Sequence, residues 1–262
     1  MALFELGKPG QLVRLGAFVG ATLIAAGWAP VANANELDEP TCEKVRATAF
    51  DSGPALLPQS MTIVAVGSSS TEGISSNDKT KVYPAALQTA LSRLWPKADI
   101  KVFNKGKGGE TMSATIARFE TDVVPLKPSL VVWQLGVNDV LRFNGVEGRH
   151  EEIQAGLKIL NEKAIPVVLL DLQYAPMVLK DPDALPMQAL IDDAARSGPK
   201  GRIFHFRRFA AMKELAERNQ VPMSSMTDRD ELHMTDAMHS CVGQLLAEMI
   251  VASPRIAVSV KP

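Results

Sequence analysis

Short apolar runs alternate with amphipathic stretches along most of the chain. The runs fall at Met61 to Val66, Ile100 to Asn104, Leu130 to Leu135, Ile165 to Leu172 and Ile203 to Phe206, and their near-continuous apolar character is that of strands buried on both faces. Between them a period near 3.6 predicts helices at about Tyr83 to Leu94, Met112 to Val123, Glu151 to Glu162, Pro186 to Arg196 and Phe209 to Arg218, with a last helix from Thr235 to Val251. Such β-α alternation predicts an α/β fold, a three-layer α/β/α sandwich around a flavodoxin-like five-stranded parallel sheet. Ligands of these sheets bind beyond the carboxyl ends of the strands, so useful chemistry belongs just after each run.

The flanks read differently. Lys8 and Arg14 precede an apolar stretch from Leu15 to Val31, which leads into Ala32-Asn33-Ala34, a small-x-small cleavage pattern. We read residues 1–34 as a signal peptide, with an uncleaved membrane anchor as the rival; Gly16, Gly20, Gly27 and Pro30 interrupt the stretch, which is short for a bilayer span. Residues 35–59 are polar, carry Pro40, Pro54 and Pro58, show one short helical stretch around Thr41 to Phe50, and read as a lead-in segment to a domain at 60–262. The expected location is exported, periplasmic or secreted, with no stable membrane insertion after cleavage. Cys42 and Cys241 are the only cysteines, and in an oxidising compartment they are candidates for one disulfide tying the two ends of the domain. Two buried thiols are the alternative.

At 262 residues and 46% hydrophobic composition, the chain can bury one full core but not two large ones. A net charge of −1 gives no electrostatic reason to expect nucleic acid and favours small or neutral substrates. A monomer is expected.

Polar clusters do follow each run. Gly67-Ser68-Ser69-Ser70-Thr71 ends the first, Asn104 to Thr111 with Gly106, Gly108 and Gly109 ends the second, and Gly136-Val137-Asn138-Asp139 ends the third. The fourth ends in Asp171 to Tyr174 and the fifth in His205 to Arg208. The glycine-rich cluster has neither the Walker spacing nor G-x-G-x-x-G, which argues against nucleotide; its glycines leave backbone N–H groups open to an oxyanion. A serine nucleophile needs a histidine base oriented by a carboxylate. Of the four histidines, His150 lies at a helix start and His205 within the fifth strand, while His233 and His239 sit in two Asp-x-x-His units, Asp230 to His233 and Asp236 to His239. Position favours His233, on a loop before the last helix, over His239, one turn inside it.

In this order the blocks resemble the SGNH hydrolase superfamily, also called GDSL esterases and lipases. Gly67-Ser68-Ser69-Ser70 is similar to the Gly-Asp-Ser-Leu block, Asn104-x-Gly106-x-Gly108-Gly109-x-Thr111 to the second, Gly136-x-Asn138-Asp139 to the third and Asp230-x-x-His233 to the last. The resemblance implies a catalytic triad of Ser69, His233 and Asp230. It also implies an oxyanion hole from the N–H groups of Ser69 and Gly109 and the Asn138 side chain, with no metal or organic cofactor. Three positions depart from the pattern: Ser68 for aspartate, Gly108 for serine, and Glu231 where glycine is frequent. The first leaves open how the nucleophile turn is braced.

The implied activity is hydrolysis of short-chain acyl esters, O-acetyl groups on glycans among them, with a small-molecule or glycan-borne ester as partner. An acyltransferase on envelope glycans and a catalytically silent binding domain are the alternatives. Gln173, Tyr174, Arg207 and Arg208 are candidates for substrate binding, or equally for bracing the loops.

Overall fold

The computed structural model describes residues 37–50, 59–143, 145–199 and 201–252. The expected signal peptide lies outside them. Five strands, β1 (Ser60–Gly67), β2 (Asp99–Gly106), β3 (Leu130–Gln134), β4 (Val167–Leu170) and β5 (Ile203–Phe206), form one parallel sheet in the order β2-β1-β3-β4-β5. This is the doubly wound α/β/α architecture expected from the alternation. β3 and β4 are buried at every position, which accounts for their unbroken apolar sequence, whereas β2 lies at the sheet edge and is largely exposed.

Side chains from alternate positions of β1 point into two separate cores. Met61, Ile63 and Ala65 join the helices Tyr83–Leu94 and Asp236–Ala252 on one face; Val64 and Val66 join Trp133, Ile153, Leu157 and Ile191 on the other. The period of two along a strand makes this division.

Residues 37–50 do more than lead in. Asp38 caps the short helix Glu39–Glu43 through the Thr41 N–H at 2.9 Å, and Leu37, Cys42, Val45, Ala49 and Phe50 are buried in the first core. Cys42 is joined to Cys241 of the last helix, with Cα atoms 5.7 Å apart.

The helix expected over Met112 to Val123 is broken. An α-helix runs only over Met112–Ile116, followed by a π-helical turn Phe119–Val123 and a 3-10 turn Val124–Leu126. At the break Arg118 turns inward and is 7% exposed, while Phe119 and Val123 remain fully buried. Periodicity alone does not register a buried cation in an apolar register. The helices Ser69–Glu72 and Val137–Phe143 are too short to show a period, and both follow strands directly.

Candidate active site

The site is built at the carboxyl ends of β1, β2 and β3. β1 ends at Gly67, whose φ of +153° and surroundings exclude a side chain: a Cβ there would lie 2.7 Å from the Gln134 carbonyl oxygen and from Thr71 Oγ1. The chain then turns into the helix Ser69–Glu72, so Ser69 is its first residue and the Ser69 N–H has no intrahelical acceptor. Ser69 is half-buried, while Ser68 and Ser70 are buried on either side of it. Gly106, paired with Gly67 across the sheet, lets β2 run hard against this helix, since a Cβ there would collide with the backbone of Thr71 and Glu72.

Gln134 braces the turn. Its Oε1 accepts from the Ser68 N–H at 2.8 Å, the Ser68 hydroxyl at 3.0 Å and the Thr71 hydroxyl at 3.3 Å. Thr71 in turn bonds the Tyr83 hydroxyl at 2.9 Å. Ser68 therefore acts as a double donor to a neighbouring amide. The only polar residue in the apolar run Leu130 to Leu135 marks this role in the sequence.

The second cluster lies beside the turn. Lys107 N–H donates to the Gly67 carbonyl at 2.9 Å, and among the described residues the Gly109 N–H donates to no protein atom. Asn138, 6% exposed, donates from Nδ2 to the Glu110 carbonyl at 2.8 Å, while Asp139 accepts from the Met112 N–H at 3.1 Å. The second and third clusters are thus tied together at the residue after Gly109. Burial, the largest influence, raises the Asp139 pKa despite the Met112 N–H and the nearby Arg149.

The histidine loop is self-structured. Asp230 Oδ1 accepts the N–H groups of Leu232 at 3.0 Å and His233 at 2.9 Å, and Asp228 N–H donates to the His233 carbonyl at 2.7 Å. Glu231 has φ +59°, which explains why glycine suits this position. Asp230 Oδ2 meets His233 Nδ1 at 2.5 Å, and His233 Nε2 meets Ser69 Oγ at 2.7 Å. With Nδ1 donating to the carboxylate, Nε2 is the acceptor for the serine hydroxyl. Burial pushes the Asp230 pKa up, but the His233 side-chain bond and the two backbone N–H groups outweigh it and hold the carboxyl below the usual range.

His239 plays a different part. It is 1% exposed, its Nδ1 accepts the Tyr83 N–H at 3.4 Å, and burial, followed by the charge of Arg208, pulls its pKa down to about 3. It is a neutral core side chain. Among the described residues no group of three or more His, Cys, Asp or Glu is arranged to hold a metal ion.

The model of the non-GDSL lipase-like family matches residues 54–255. The chain belongs to this family. It is thereby an SGNH hydrolase, as the order of its blocks suggests. An acetylxylan esterase of Geobacillus stearothermophilus is 30% identical over 120 residues, 44% of this chain and 55% of that protein. The chain thus aligns with little more than half the length of this curated relative. Among solved structures, a two-domain esterase active on acetylated mannans superposes with a TM-score of 0.60 at 20% identity, over 87% of this chain and 56% of that one. An acetyl xylan esterase superposes with a TM-score of 0.57 at 20% identity, over 71% of this chain and 98% of that one. At these identities the superpositions speak for the fold alone.

Within this family member, the residues that follow β4 and β5 make bracing bonds to other parts of the chain. Gln173, 1% exposed, donates to the Leu232 carbonyl at 3.2 Å and so props the histidine loop. Tyr174 bonds Glu217 and packs edge-on against Phe209. Arg207 donates to the Thr48 carbonyl at 2.9 Å, and the fully buried Arg208 donates to the Asp171 carbonyl at 3.0 Å. Sequence reasoning assigned no role to Gln134, Arg118, Glu110 or Asp139, whose bonds link the pieces of chain around the site.

Proposed function

We propose that this protein is an exported serine esterase that removes short acyl groups, acetyl above all, from esters carried by glycans. The observation that carries this is the continuous Asp230–His233–Ser69 chain of hydrogen bonds, 2.5 and 2.7 Å, at the carboxyl edge of the sheet. His233 Nε2 takes the Ser69 proton as Oγ attacks the ester carbonyl, and Asp230 fixes the imidazole tautomer and stabilises the imidazolium. The N–H groups of Ser69 and Gly109 and the Asn138 amide receive the negative oxygen of the tetrahedral adduct. Collapse breaks the ester C–O bond, and His233 returns the proton to the leaving alcohol. Water then attacks the acyl-serine, giving up its proton to His233, and the second collapse releases the carboxylic acid and restores the serine.

The acetylxylan esterase relative, aligned over 120 residues, supports acetyl groups on glycans as the substrate. Export rests on the charged, apolar N-terminal segment and suits the Cys42–Cys241 bond. Among the described residues no helix is long and apolar enough to cross a membrane. The test is acetate release from acetylated xylan and acetylated mannan, beside a chain-length series of p-nitrophenyl esters. Turnover of acetyl esters that falls as the chain lengthens supports the proposal; folded protein inactive on all of them refutes it.

A further inference from the structure

Resting on the esterase assignment above, we infer that Arg118 is the positioning residue that sets the oxyanion hole. Arg118 is 7% exposed, and its guanidinium reaches three separate pieces of chain. Nε meets both carboxylate oxygens of Glu110 at 2.9 and 2.8 Å, and Nη2 meets Glu110 Oε2 at 2.7 Å, a forked pairing. Nη2 also donates to the Lys105 carbonyl at 2.6 Å and the Gly67 carbonyl at 3.3 Å, and Nη1 meets Asp122 at 3.3 Å.

Each donor of the proposed oxyanion hole is tied to one of two residues that Arg118 holds, Gly67 or Glu110. Gly67 stands two residues before Ser69, so its carbonyl fixes the start of the nucleophile turn. Glu110 follows Gly109 directly, and the Glu110 carbonyl is the acceptor that orients the Asn138 amide at 2.8 Å. One planar cation therefore locks the turn that carries the first donor to the residue that sets the other two. A lysine in its place has a single point of charge and cannot span this fork. Two carboxylates, Glu110 and Asp122, balance the buried charge. Arg118 touches none of the reacting atoms, and its effect passes through Glu110 and Gly67.

The expected consequence is a loss of rate rather than of substrate binding. Arg118→Ala is expected to lower kcat on p-nitrophenyl acetate about 10 to 100-fold while KM changes less than about three-fold, because misplaced oxyanion donors weaken transition-state stabilisation specifically. Added ethylguanidinium, matched for ionic strength with sodium chloride, is expected to restore part of the lost kcat in Arg118→Ala and leave the wild type unchanged. A merely structural role would produce no such rescue. Should Arg118→Ala fail to fold, Arg118→Lys carries the test through the same split between kcat and KM. A folded Arg118 variant with wild-type kcat, or a folded Arg118→Ala that ethylguanidinium does not rescue, overturns the inference. Ser69→Ala is assayed alongside: retained activity there removes the esterase site itself, whereas an inactive Ser69→Ala beside a fully active Arg118 variant removes only the role of Arg118.

Discussion

Replacing Gln134 by leucine removes an acceptor while keeping the volume of a side chain that is 3% exposed. Three donors converge on its Oε1, from the Ser68 N–H, the Ser68 hydroxyl and the Thr71 hydroxyl. Thr71 keeps its partner in Tyr83, so the substitution orphans the two donors of buried Ser68. An unsatisfied buried donor costs about 1–3 kcal/mol, which puts the loss on the order of 2–5 kcal/mol once hydroxyl rotation is allowed for. At roughly 2–4 °C per kcal/mol for a domain of this size, Tm is expected to fall by about 4–20 °C. Activity suffers as well, because the turn that aims Ser69 at His233 is no longer pinned, and a displacement of about 1 Å there can cost about 10²-fold. Gln134→Glu, which retains acceptor oxygens, is expected to keep more of the rate than Gln134→Leu. Thermal melts by circular dichroism and kcat on p-nitrophenyl acetate check both effects. A Gln134→Leu protein that melts within about 2 °C of wild type with an unchanged kcat would refute the reasoning.

Asn138→Ala is expected to lower kcat on the order of 10²- to 10³-fold, measurable by initial rates, and to lower Tm as well through loss of the bond to the Glu110 carbonyl. His233→Ala is expected to abolish turnover, whereas His239→Ala lowers Tm and leaves chemistry largely in place, by parallel assays of the two purified proteins. Burial, then the charges of Arg208, His233 and Lys79, hold the folded His239 down to about 3, while the unfolded chain takes a proton near 6.5. Its stabilising effect is therefore complete above about pH 6.5 and is lost as pH falls toward 3; denaturant melts across that range are expected to show a shallower decline in His239→Asn. Replacing Cys42 and Cys241 together by serine opens a loop of sequence separation 199 and is expected to cost about 2–5 kcal/mol, read from denaturant midpoints under non-reducing conditions.

The five strands were legible as short, near-continuous apolar runs, and the long helices because each repeats a period over enough residues to register. The sheet-edge strand β2 was found from its apolar start and its polar end. The four blocks pointed to Ser69, Asn138, Asp230 and His233, and in the structure His233 bonds both Ser69 and Asp230. The rest depends on side chains far apart in sequence. Gln134 reaches across 66 positions to Ser68, and Arg118 across 51 to Gly67; the lone polar residue in an apolar strand flags Gln134 but not its partner, and nothing local flags Arg118. The break at Arg118 escaped because its flanking residues keep a helical period. Glu231 is the reverse case: its departure from glycine was visible in sequence, and its positive φ shows what the departure strains. Residues 37–50 read as polar lead-in because their buried positions, Leu37, Cys42, Val45, Ala49 and Phe50, are spread too thinly to mark a core-facing surface.

Covalent trapping shows directly whether Ser69 is the nucleophile. A fluorophosphonate incubated with the purified wild-type protein, followed by intact-mass and peptide mass spectrometry, is expected to add one adduct, on Ser69. The adduct should vanish in Ser69→Ala and form far more slowly in His233→Ala. Labelling of another residue, or no labelling of folded wild-type protein, would rule out Ser69 as the nucleophile.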